Sequence, residues 1–108
     1  MQGIEHAKVF ALKDQIDYQD GKVVSKQLAE NAGLRSVLFA FDNGQGLQTH
    51  KAGGDAFVTV VEGTGEFTID GVKYTVPENH SIIMPKGNPY SVHAVEGRLK
   101  MLLMVVLY

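Results

Sequence analysis

Short β-prone runs separated by glycine-containing turns are the feature that most restricts how this chain can fold. The clearest case is residues 66–69 and 73–76, which flank Asp70-Gly71. An Asp-Gly pair between two such runs favours a two-residue hairpin turn. Other runs rich in branched and aromatic side chains lie at residues 23–28, 35–41, 57–61, 81–84, 90–95 and 99–106. The pattern predicts a single all-β domain, a sandwich or a barrel.

Helical periodicity is weak throughout the chain. The best candidate is Val9, Leu12 and Ile16, but Asp14 and Asp17 interrupt it. We therefore expect a strand at residues 8–10, followed by at most one helical turn.

Net charge limits the classes of partner. The chain has 10 Lys plus Arg against 12 Asp plus Glu, a net charge of −2. It therefore lacks the basic excess that attracts nucleic acids or anionic membrane surfaces, and we expect neither as a partner. Its 108 residues suffice for one domain with its own core.

Cysteine content and hydropathy bear on location. The sequence has no cysteine, which excludes disulfides, thiolate catalysis and cysteine-ligated metal sites and fits a reducing cytoplasm. The longest apolar run, residues 101–108, is far shorter than the roughly 20 residues of a membrane helix. The N-terminal residues show no signal-peptide pattern, so we expect a cytoplasmic protein.

Two stretches carry the spacing of a known family. In the first, about residues 44–63, the motif positions hold Gly44, His50, Ala52, Ala56 and Gly63. In the second, about residues 79–94, they hold Asn79, Pro85, Tyr90 and Ala94. This spacing resembles the two motifs of the cupin family. The resemblance implies that residues 1–108 form one cupin domain, a double-stranded β-helix or jelly-roll barrel.

Metal-dependent cupins use four motif residues as ligands: two His and one Glu from the first motif and one His from the second. Of these positions the chain keeps His50, with Ala52, Ala56 and Tyr90 at the other three. A phenol with a pKa of about 10 is a poor ligand near neutral pH, and zinc or iron sites take at least three protein donors. The resemblance therefore leaves His50 as the one family metal ligand, and the donor set disfavours a tightly bound divalent transition metal.

Strand alternation predicts a pocket around His50. Residues two apart share a face of a strand, so Gln48, His50 and Ala52 should point inward together. With Ala56 and Tyr90 they would line a mostly apolar barrel pocket in which Gln48, His50 and Tyr90 bind a small molecule. Two readings of His50 stay open: an interior histidine hydrogen-bonded to Tyr90 or Gln48, or the polar anchor of a ligand.

The other candidate polar residues have plainer interpretations. His93, three residues after Tyr90, should face outward, unless a bulge returns it to the pocket. We expect His80 in a solvated turn and His6 near a frayed terminus. Asp55 is either a general base or, as is more common, a turn cap.

The last run, residues 101–107, lacks polar alternation, so both of its faces should be covered. One face belongs to the core, and a second copy of the chain would cover the other, which predicts a homodimer. Met104 could instead fill a gap in the core. Arg98 and Lys100, which flank this run, are expected to face solvent.

Three functions remain open on this basis. The favoured one is a small-molecule-binding or regulatory module. The second is a metal-dependent enzyme of the dioxygenase, isomerase or decarboxylase type, and the third is a dimeric interaction protein without a small ligand. No P-loop, nucleophile elbow or dinucleotide-binding pattern is present, and no residue is singled out as catalytic.

Overall fold

The computed structural model describes residues 1–107, and within them nine β-strands follow one 3₁₀ turn at Leu12–Gln15. The strands are β1 (Val23–Glu30), β2 (Leu34–Phe41), β3 (Gly46–His50), β4 (Gly54–Glu62), β5 (Gly65–Ile69), β6 (Val72–Val76), β7 (Ser81–Met84), β8 (Tyr90–Ala94) and β9 (Leu99–Leu107). The prediction of an all-β fold is confirmed. Tyr108, the last residue of the apolar run, lies outside the described residues.

The strands form two antiparallel sheets. The larger has the order β1-β2-β9-β4-β7 and the smaller the order β3-β8-β5-β6. The predicted hairpin joins β5 to β6: Ile69 pairs with Val72 across Asp70 and Gly71, whose φ angles are 50° and 79°. Two positive φ angles are what a tight turn of this kind requires.

The core lies between the two sheets. In β9, Leu99, Met101, Leu103 and Val105 point inward and are at most 3% exposed. The residues between them point to the outer face of the larger sheet. Inward side chains of β4, β5 and β8 complete one continuous apolar cluster. This packing is that of a closed barrel, the double-stranded β-helix.

A second apolar cluster lies on the outer face of the larger sheet, where the N-terminal segment, residues 1–22, packs against it. Ile16 is buried there beside Leu38, and Leu12 and Tyr18 pack around them. The expected strand at residues 8–10 is wrong: no strand is assigned there, and Val9 is 98% exposed. Residues 8–10 have no neighbouring strand to pair with, so they form no strand despite their β-prone side chains. The helical turn that follows it is confirmed.

The expectation that Lys100 faces solvent is also wrong. Its side chain does not face solvent but is 7% exposed, and its Nζ donates a hydrogen bond of 2.6 Å to the carbonyl of Lys13. The N-terminal segment lies over this part of β9, which strand alternation alone cannot reveal. Arg98 is exposed as predicted. Because the chain's own N-terminus covers part of the outer face of β9, the apolar character of both faces does not by itself require a partner.

The helical content also bears on membranes. Within residues 1–107, no helix has the length and apolar character that a bilayer crossing demands.

Candidate functional site

A pocket of about 360 Å³ opens at one end of the barrel, where the ends of several strands meet. We call it the mouth pocket. It is lined by Glu30, Arg35, His50, Lys51, Ala52, Gly53, Tyr90, Val105 and Leu107. Its volume lies at the lower end of the range for small-molecule sites.

A β-bulge places His50 at the mouth pocket. In the pairing of β3 with β8, Leu47 lies opposite Val92 and His50 lies opposite Tyr90. Three steps along β3 therefore match two steps along β8, so one extra residue is inserted between Leu47 and His50. The bulge breaks the alternation on which the prediction for Gln48 rested.

Gln48 and Ala56 accordingly differ from expectation. The Gln48 side chain is exposed and does not line the mouth pocket; its backbone carbonyl, however, contacts the imidazole of His50. Ala56 is fully buried in the core opposite Met84, so it leaves no open cavity. Ala52 follows the end of β3 and lines the pocket as predicted.

The His50 imidazole is exposed at the rim and has a defined orientation. Its Nδ1 lies 2.9 Å from the carbonyl oxygen of Gln48. Because a carbonyl can only accept a hydrogen bond, Nδ1 carries the proton and donates it. In the neutral imidazole, Nε2 is then a hydrogen-bond acceptor for a ligand. The first reading of His50 is therefore wrong in placing the side chain in the interior, since it is exposed, but right about the bond to Gln48. The second reading, a polar anchor for a ligand, stays a prediction.

Tyr90 forms the inner wall behind His50. The two ring centroids are 4.3 Å apart and the planes are inclined by 53°. Tyr90 is only 2% exposed, and burial raises the pKa of its hydroxyl while the charge of Arg35 lowers it. Within residues 1–107 no side-chain N or O atom is both fully buried and without a hydrogen-bond partner. The Tyr90 hydroxyl makes no hydrogen bond to those residues, so it retains access to the pocket.

Three charged residues of the mouth pocket, Glu30, Arg35 and Lys51, were missed by the sequence reasoning. They make the pocket more polar than the mostly apolar hollow that was expected. Arg35 had a detectable signal: it shares a strand face with Val37, and in β2 it pairs with the buried Val105. A charged residue on an inward face at the start of a strand indicates a barrel mouth.

The remaining candidates lie outside the mouth pocket. His93 is exposed on β8, as predicted, and His80 is exposed in a turn. His6 makes a hydrogen bond of 3.0 Å to the carbonyl of Met1. Asp55 accepts a hydrogen bond of 2.9 Å from the backbone N–H of Lys86, the capping role that the sequence favoured.

The side chains at the family's metal position do not fit a metal ion. They supply one imidazole from His50 and one phenol from Tyr90, and the two alanines have no donor atom. In the part of the chain that the structure describes, no three His, Asp or Glu side chains are grouped so as to hold an ion. The donor chemistry therefore falls short of the three ligands that zinc and iron sites use.

Comparison with known proteins agrees with this fold. A family model described as a cupin domain matches residues 37–107. The solved structure of a conserved protein of unknown function from Streptococcus pyogenes is 38% identical, with a TM-score of 0.94 over 98% of this chain and 92% of that one. No curated protein matches the sequence.

Two further structures extend the comparison. A cupin 2 conserved barrel domain protein from Leptotrichia buccalis is 39% identical, with a TM-score of 0.88. The match covers 90% of this chain but 47% of that protein, so the chain spans about half its length. A cupin superfamily protein from Desulfitobacterium hafniense, 21% identical, has a TM-score of 0.93 over 99% of this chain and 97% of that one, which shows a shared fold. The matched motifs, the two-sheet barrel and these relatives together establish that the chain belongs to the cupin family.

Proposed function

We propose that this cupin is a binding or regulatory module that holds a small organic ligand in the mouth pocket. The observation that carries the proposal is Tyr90, a residue that is 2% exposed and lines the pocket, while its hydroxyl has no hydrogen-bond partner in residues 1–107 and is not fully buried. The His50 side chain lines the same space, while Val105 and Leu107 add apolar surface. A few convergent polar groups on an apolar wall are typical of a small-molecule site.

Thermal shift with a panel of small acids, sugars and phenols tests the proposal. A ligand that binds only the folded state raises its melting temperature. We expect at least one panel member to stabilise the wild type, and expect His50→Ala and Tyr90→Phe to remove that shift while the free proteins stay folded. His93→Ala is the matched control, since His93 is an exposed imidazole on the neighbouring strand. A panel that stabilises nothing contradicts the proposal.

A metal-dependent enzyme is the alternative at the same site. It would need Tyr90, Gln48 or a returned His93 to join His50 as ligands. The pairing of β8 with β5 runs without a register shift from Ala94 to Tyr90, which keeps His93 on the outer face. Metal analysis of protein purified without a His tag separates the alternatives. We expect far less than one metal per chain; near-stoichiometric iron, manganese, zinc or nickel would favour the enzyme.

We also propose that a second copy of the chain covers the exposed outer face of the larger sheet. Phe57 and Ile83 are directly paired across β4 and β7 and are 44% and 55% exposed, and Val106 is 51% exposed. An apolar patch of this kind marks an interaction surface. Light scattering should give a dimer for the wild type and a monomer for Phe57→Asp. Val72→Asp, at an equally exposed position of the smaller sheet, should stay dimeric. A monomeric wild type contradicts this proposal and also the reading of the chain as a dimeric interaction protein.

The location that best fits these properties is the cytoplasm. The support for it is the lack of cysteine in the sequence, which fits a reducing compartment. Fractionation of cells that express an untagged copy tests this location.

A further inference from the structure

Of the two arginines in the sequence, Arg35 and Arg98, Arg35 is the one whose guanidinium is not engaged by other side chains of residues 1–107. Its five N–H groups make no hydrogen bond or ion pair within residues 1–107. The contrast is Arg98, which donates to Asp42 at 2.9 Å and to Asp20 at 2.8 Å. Arg35 lies opposite Glu30 in the β1–β2 register, yet the two form no ion pair.

The second observation is the Tyr90 hydroxyl, a donor on a side chain that is 98% enclosed, since the residue is 2% exposed. It lines the same pocket as Arg35, and the charge of Arg35 lowers the pKa of the phenol, against the rise that burial causes. A guanidinium and a phenolic O–H on two residues that line one pocket form a set of donors, and a set of donors is matched by an anionic acceptor.

The charge of the lining defines the anion. Arg35 and Lys51 are cations and Glu30 is an anion, while His50 is neutral when only Nδ1 is protonated. The sum is one positive charge, which a single negative charge balances. A dianion such as phosphate would leave excess negative charge beside Glu30.

We propose that the mouth pocket recognises a small organic monocarboxylate, whose carboxylate accepts hydrogen bonds from Arg35 and the Tyr90 hydroxyl. This rests on the proposed function, because it names the chemical class of the ligand for the same pocket. The planar guanidinium can bind a carboxylate through two parallel N–H···O bonds. The apolar body of the acid lies against Val105 and Leu107, and His50 Nε2 accepts a hydrogen bond from a ligand hydroxyl where one is present.

Matched acid and amide pairs test the inference. The probes are benzoate, 4-hydroxybenzoate, pyruvate and lactate, each beside its primary amide, with inorganic phosphate as the dianion arm. Binding is followed by saturation-transfer NMR and thermal shift. We expect at least one acid to bind while its amide and phosphate do not. Because a hydrogen bond to a charged group contributes more than a neutral one, we expect Arg35→Gln to lower the affinity for the acid by about tenfold or more.

Three variants complete the experiment. Arg35→Lys keeps the positive charge but loses the planar guanidinium, so its affinity for the acid should lie between those of wild type and Arg35→Gln. Tyr90→Phe should weaken the acid while preserving the ring that packs on His50. Lys73→Gln removes an exposed cation of the smaller sheet, away from the pocket, and should bind as wild type does. Melting temperatures of the free proteins show that each variant is folded.

Each outcome decides a different statement. If an acid and its amide bind equally well, or if Arg35→Gln binds the acid as wild type does, the carboxylate assignment is overturned and the pocket proposal stands. If phosphate binds in place of the acids, the monovalent assignment is overturned. If no acid, amide or phosphate binds the wild type, the carboxylate assignment fails. The proposed function then fails as well if no sugar or phenol of the thermal-shift panel binds, and stands if one of them does.

Discussion

The Nζ atom of Lys100 lies 4.8 Å from the centre of the Tyr18 ring, beneath the N-terminal segment. The guanidinium carbon of Arg98 lies 5.0 Å from the same ring centre. The Tyr18 hydroxyl donates a hydrogen bond of 2.6 Å to Glu62, and this bond together with burial raises the pKa of Tyr18. The network fixes the N-terminal segment to the outer face of the larger sheet, so its strength can be tested through Lys100.

Lys100→Ala should destabilise the fold. It leaves the Lys13 carbonyl without the hydrogen bond that Nζ donates and removes a cation from the Tyr18 ring, a combined cost of about 1–3 kcal/mol. Lys100→Met keeps the apolar stem and should cost less. Chemical denaturation gives the free energy of unfolding of each variant. Lys22→Ala, at an exposed position, is the control and should change little. Equal stability of Lys100→Ala and wild type would show that the segment is held by other contacts.

The Asp70-Gly71 turn should be sensitive to a side chain at Gly71. Its φ is 79° and an added Cβ would meet no atom within 4 Å, so the effect of Gly71→Ala is purely conformational. A left-handed conformation costs an alanine about 1–2 kcal/mol. Gly33→Ala is the matched control, because Gly33 has no positive φ and its added Cβ would make an ordinary contact at 3.7 Å. Thermal unfolding should rank Gly71→Ala well below Gly33→Ala. The reverse order would mean that the turn adjusts without strain.

Asp42 should contribute stability in a pH-dependent way. The backbone N–H of Gly21 donates to its carboxylate at 2.6 Å, and Arg98 donates at 2.9 Å. These bonds lower the pKa of Asp42. A carboxyl whose pKa is lower in the folded state stabilises the fold above its unfolded pKa of about 3.9, and loses that effect as the pH falls through the folded value.

Melting temperatures of wild type and Asp42→Asn across pH measure this effect. The wild type should be the more stable from pH 5 to 8, and the difference should shrink as the pH falls below about 4. Asp17→Asn, at an exposed position, is the control and should follow wild type throughout. A difference for Asp42→Asn that persists at the lowest pH would show that shape, rather than charge, is responsible.

Local patterns predicted the fold well because they depend on neighbours in sequence. The Asp70-Gly71 hairpin and the runs that became β2 and β9 lie close to their predicted positions. The prediction of a strand at residues 8–10 was wrong because strand formation needs a hydrogen-bonding neighbour, which local propensity does not supply. The prediction that Lys100 faces solvent was wrong for a related reason, since the segment that covers it lies about 87 residues earlier in the chain.

The positions of the candidate site residues were predicted in part, while their binding role stays a prediction. The motif spacing placed His50, Ala52 and Tyr90 together, and the structure brings all three to the mouth pocket. Gln48 was misplaced because the bulge in β3 shifts the alternation by one residue, and no residue type in that stretch requires a bulge. Arg35 was not predicted as a pocket residue, because its position there depends on how β2 pairs with strands that are distant in the sequence.

The proximity of Arg35 to Tyr90 can be tested without any ligand. Burial raises the pKa of the Tyr90 hydroxyl, and the Arg35 charge opposes that rise because it favours the phenolate. Arg35→Gln should therefore move the titration of Tyr90 to higher pH. Tyrosinate absorbance isolates Tyr90 when the curve of a Tyr90→Phe counterpart is subtracted in each background. Arg98→Gln is the matched control, since Arg98 acts on Tyr18 instead, and it should leave the Tyr90 curve in place. If the Tyr90 titration curve is unchanged in Arg35→Gln, the Arg35 charge does not act on the Tyr90 hydroxyl. The physical basis for an anion site shared by the two residues is then removed.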